Sequence, residues 1–111
     1  MSGQDLYEEL SGLTRLLNTA LRQYGSRGAT YARAEHDYRV ALAKEMLIQR
    51  DNRIPVTIIG DLCRGTPSIA KLKLERDVAE VTYKAASEAI NTYKLQIRII
   101  ESQIEREWNS K

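Results

Sequence analysis

From Pro67 to the C-terminus the chain contains neither a second proline nor any glycine. This unbroken stretch constrains the fold more than any other feature. Thr66 is a good N-cap, and Pro67 at the first helical position is pre-set for helix geometry. One helix is predicted over about 67–109, roughly 65 Å long at 1.5 Å per residue. Leu72, Ala79, Tyr83, Ala86, Ile90, Tyr93, Ile97, Ile100 and Ile104 form a heptad seam along it, which buries one stripe against a partner helix. Arg76 fills the slot between Leu72 and Ala79, and a charge in a seam needs a carboxylate opposite it.

A helix of that length needs partners along all of it, and the preceding sequence supplies two segments. The first, about 4–24, repeats Leu6, Leu10, Leu13, Leu17, Ala20 and Tyr24 at alternating steps of four and three, with Ser2 as its N-cap. "GSRG", Gly25 to Gly28, sets two glycines within four residues and predicts a stop or bend. The second, about 29–51, has a poorer apolar face of Tyr31, Ala34, Tyr38, Ala41, Leu42 and Ile48, with Glu35 and Glu45 beside it. The expected fold is therefore all-α, a single domain over residues 1–111. It is either a long antiparallel helical hairpin with one arm broken at "GSRG", or a three-helix bundle in which the first helix folds back. With residues 51 and 67 bracketing the turn, Arg76 falls beside Leu42 and within reach of Glu45. Both versions leave apolar surface uncovered, so a homo-oligomer formed through the heptad-like seams is expected.

The 17 basic and 15 acidic residues are evenly mixed, with net charge +2. A chain that coats nucleic acid usually carries a basic stripe or tail, and none is visible, so nucleic acid is the less favoured partner. No apolar run is long enough to cross a membrane. The N-terminus has neither the basic nor the apolar region of a signal peptide. Cys63 is the one cysteine, so no intrachain disulfide can form. A cytoplasmic location is the expectation.

The irregular connection over 52–66 holds Pro55, and Pro67 follows it directly. Pro55 disfavours helix at Ile54. Val56, Ile58 and Ile59 are too apolar for a solvated loop and are expected to plug the end of the helical layer. "DLCRG" reads as one helical turn, with Asp61 as N-cap and Gly65 as a left-handed stop. Arg64 then falls just before a helix N-terminus, where backbone N–H groups and the helix dipole favour an anion. Thr66 and Ser68 add hydroxyls, and Lys71 precedes the first acid of the helix. Arg64, Thr66, Ser68 and Lys71 form the candidate anion site. Tyr38 and Arg39, interleaved with Tyr31 and Arg33, are further candidates, since aromatic and guanidinium groups stack on bases; tyrosines at helical spacing also serve as core.

No catalytic set is present: there is no Ser-His-Asp arrangement, no HExxH and no glycine-rich phosphate loop. His36 has no ligand cluster at metal spacing, and no cofactor is expected. Cys63 has no base near it, although Arg64 and the helix start would lower its pKa. The chain is read as a non-enzyme.

"YARAEHDYRVALAKEML", "IPVTIIGDLCRG", "RDVAEVTYKAASEAI" and "IESQIEREW" resemble small helical proteins encoded by phages and prophages of Gram-positive bacteria, over about Ala29 to Trp108. The resemblance implies a phage protein in the host cytoplasm. Its first implied role is counter-defence, in which an oligomeric helical protein sequesters a nucleotide-like anionic ligand or engages a host protein. The alternative is an accessory of phage DNA replication or recombination that binds nucleic acid or a protein partner. The third is a structural coiled-coil module.

Overall fold

The computed structural model describes residues 2–110 and contains only helices among them. They are α1 (Gly3–Asp51), α2 (Val56–Arg64) and α3 (Pro67–Asn109). The backbone packs as two compact units, one of Met1–Ser26 with Lys84–Lys111 and one of Arg27–Tyr83.

α1 opens with a reciprocal cap. The Asp5 N–H donates to Ser2 Oγ at 3.2 Å, and the Ser2 N–H donates to Asp5 Oδ2 at 3.4 Å. Each bond satisfies a backbone group that the first turn would otherwise leave orphaned. The expected break at "GSRG" is not there: α1 runs unbroken through Gly25 and Gly28. Glycine disfavours a helix interior by about 1 kcal/mol relative to alanine, which tertiary packing readily offsets. Gly28 is in fact a packing residue. A Cβ placed on it would lie 3.0 Å from Cε1 of Tyr83, so the tyrosine ring fits only where the helix has no side chain.

In the first unit α1 and α3 pair antiparallel: Leu6 lies beside Gln103 and Arg106, and Leu13 beside Gln96 and Ile100. Its core is Leu6, Ala20, Ala86, Ile90 and Ile100. All are seam positions read from the heptad pattern. In the second unit Tyr38, Cys63, Ile69 and Ala79 are buried. Ile69 extends the α3 seam one step before Leu72.

The connection is more ordered than its sequence suggests. α1 ends in a Schellman-type turn, with the Arg53 N–H on the Arg50 carbonyl at 3.0 Å and the Ile54 N–H on the Gln49 carbonyl at 3.1 Å. Arg53 is the left-handed residue of that turn, at φ 65°. Pro55 then starts α2, its carbonyl accepting from the N–H groups of Ile58 and Ile59. Asp61 is therefore inside a helix rather than its N-cap. Gly65 is right-handed, at φ −85° and ψ −6°, rather than a left-handed stop. The anchoring residues also differ from expectation. As a helix, the segment turns Ile59 and Cys63 to one side and Ile58 and Leu62 to another. Cys63 is fully buried and Ile59 half-buried, whereas Val56 and Ile58 are exposed.

The register follows from α2. Arg76 faces Glu35 of α1 instead of Leu42 and Glu45, about two helical turns further along. The last turns of α1 lie alongside α2, where Ala43, Met46, Leu47 and Arg50 line an open groove with Val56 and Ile59. A structureless turn would have let α3 begin its pairing at the end of α1. The extra helix takes that place.

Candidate functional site

Arg76 sits in the seam at the centre of a ladder of charges. Its Nη1 donates to Glu35 Oε2 at 3.2 Å, and its Nε and Nη2 donate to Asp77 Oδ1 at 3.1 and 2.9 Å. Arg39 donates to the other oxygen of Glu35, and Lys73 donates to Asp77 at 2.9 Å. Cations and carboxylates thus alternate from Arg39 through Glu35, Arg76 and Asp77 to Lys73. The Arg76 guanidinium also lies over the Tyr38 ring, 4.7 Å from its centroid. A planar guanidinium can serve a fork of acceptors and an aromatic face together, which lysine cannot. The Arg39 hydrogen bond, helped by both guanidinium charges, holds the Glu35 carboxyl below its usual range against partial burial. Hydrogen bonds from Lys73 and Arg76 hold Asp77 down as well. Beside the ladder, Tyr31 stacks at 6.0 Å on Tyr83, and burial with the nearby Glu80 and Glu35 charges pushes its phenol up.

These contacts change the reading of one site residue. Tyr38 is buried, with Arg76 over its ring, so it does not present a face to a base. Arg39 donates to Glu35 one turn earlier on α1, and its side chain stays largely exposed. Tyr38 thus joins α1 to α3 at this point, whereas the Arg39 pair is made within α1. The sequence placed Glu35 beside the seam but favoured Glu45 as the partner of Arg76.

Arg64, Thr66, Ser68 and Lys71 all lie near the junction of α2 and α3. Arg64 lies back over Gly60, with Nη1 3.7 Å from Asp61 Oδ1. Thr66 precedes α3 as expected, and its carbonyl accepts from the Ala70 N–H at 2.8 Å. Its hydroxyl donates backwards to the Leu62 carbonyl at 3.0 Å, tying α2 to the start of α3. Ser68 and Lys71 are exposed, and the first turn of α3 carries no acid. Cys63 departs from expectation: burial, then the Glu45 charge, pushes its thiol up, with Arg64 only partly opposing. A protonated, inaccessible thiol is a packing group.

No group of three or more His, Cys, Asp or Glu side chains that could hold a metal occurs among the described residues. No described helix is long and apolar enough to cross a membrane. Exposed apolar side chains are far more prominent. Val56, 81% exposed, and Leu47 border an open groove of about 620 Å³ at the end of α1. Tyr7 and Trp108, the latter 78% exposed, stand on the first unit. On α3, Leu74, Val78 and Val81 are exposed although no pattern of the buried seam includes them. Their own spacing of four and three was the sequence signal that would have found them. Comparison with protein-family models, with curated proteins and with solved structures found no match to this chain.

Proposed function

We propose that this chain is a non-catalytic helical binding module that works by protein–protein association, beginning with its own copies. The observation that carries this reading is the set of large apolar side chains left exposed on α2 and α3, Val56, Leu74, Val78 and Val81 foremost. A row of exposed apolar side chains, as Leu74, Val78 and Val81 form on one face of α3, marks an association site. The arrangement of charge supports the same reading, because the ionisable groups drawn together around Arg76 are paired with one another. Sedimentation velocity on the purified chain tests it. Species of at least twice 12.7 kDa at micromolar concentration are expected. A monomer that also captures no protein partner overturns the reading.

A second reading, a phosphate-bearing ligand at the start of α3, is favoured by one observation: the first turn there lacks any acid while Ser68 and Lys71 are exposed. Calorimetric titration of a nucleotide into the native chain and into Arg64→Ala tests it. A tenfold loss in the variant is expected, and equal heats in both overturn it.

A further inference from the structure

We propose that a second copy of the chain docks on the outward stripe of α3, antiparallel to it, across a twofold axis between Val78 and Val81; this rests on the association reading above. α3 is apolar on two opposite sides. Ile69, Leu72, Ala79 and Tyr83 line the buried seam. Leu74, Val78, Val81 and Ala85 recur at steps of four, three and four about half a turn away. They form a second heptad seam, with Leu74 62% and Val81 69% exposed.

The pattern of this seam identifies its occupant. In an antiparallel pair centred between Val78 and Val81, each Val78 meets Val81 of the second copy, and each Leu74 meets Ala85. Large then faces small, as close packing requires. The next layer outward brings Lys71 against Glu88 of the second copy, at both ends of the contact. The same surface is thus complementary to itself in shape and in charge, which is the requirement of a twofold interface. A parallel pair in register would instead set Lys71 against Lys71 and Glu88 against Glu88, which costs affinity.

Three variants, followed by sedimentation equilibrium with circular dichroism as the check on folding, test the proposal. Val81→Lys changes a side chain that the single chain already exposes. It should keep the helical content and weaken dimerisation by about 100-fold, since two charges would be buried against valine. Lys71→Glu should weaken it by about tenfold, and Lys71→Glu with Glu88→Lys should restore it to within about threefold of native. Only the antiparallel register predicts that rescue. Failure of the double exchange to rescue overturns the register. A native oligomer indifferent to Val81→Lys overturns this surface and leaves the association reading standing. A native chain that is monomeric at about 50 µM overturns the proposal, and the search for another protein partner then decides the association reading.

Discussion

Three residues in this chain, Arg53, Gly25 and Gly28, hold backbone conformations that run against their type. Arg53 occupies the left-handed position that ends α1, where glycine is the usual residue. A side chain there costs about 1 kcal/mol, because Cβ crowds the following carbonyl. Arg53→Gly removes that cost but adds entropy to the unfolded chain, so a small net gain of about 0.5 kcal/mol is expected. Urea unfolding should show a higher midpoint with an unchanged slope. Gly25 and Gly28 form the second case. Nothing lies within 4 Å of a Cβ placed on Gly25, whereas one placed on Gly28 meets the Tyr83 ring at 3.0 Å. Gly25→Ala should therefore stabilise by about 1 kcal/mol, the difference in helix propensity. Gly28→Ala gains the same propensity but displaces the ring, so its stability should fall below that of Gly25→Ala by at least about 1 kcal/mol. Equal melting behaviour of the two would show that Tyr83 yields without cost.

At the scale of elements, the pairing of α1 with α3 in the second unit is specified by charge as much as by apolar contact. An apolar heptad slides by one repeat at little loss, because every layer resembles the next. Arg76 removes that freedom. It finds Glu35 and Tyr38 at one register, and a shift of one heptad would leave its charge half-buried without that carboxylate. The carboxylates of the ladder make the contact sensitive to acid. Glu35 and Asp77 both titrate below their ordinary values in the folded chain. Groups shifted in that direction contribute stability above the ordinary carboxylate pKa, about 4, and lose it as pH falls through the lower folded values. Thermal melts should thus be nearly level from neutral pH down to about 5 and drop below about 4. Glu35→Gln with Asp77→Asn should lower the melting temperature at neutral pH and flatten its acid limb. An acid limb as steep as that of the native chain would assign the loss to other carboxylates.

Across the whole molecule, the sequence alone determined that the chain is helical and which stripes of α1 and α3 are covered, except at Tyr24 and Ile48, which are exposed. Leu6, Ala20, Ala86, Ile90 and Ile100 are buried where the heptad pattern put them. That much was legible because helical period is a local property, visible wherever apolar residues recur with no breaker between them. Ser2 as a cap and Pro67 as a helix start were legible for the same reason. Three features were decided only by tertiary structure. Gly28 lies inside a helix, with the ring of Tyr83, far away in sequence, in the space a side chain would fill. Arg76 pairs with Glu35 rather than Glu45 because α2 occupies the last turns of α1. Tyr38, which suited a nucleotide as a residue type, is buried under Arg76. In each case the deciding partner comes from another part of the chain, and local pattern carries no record of which long-range contact will form.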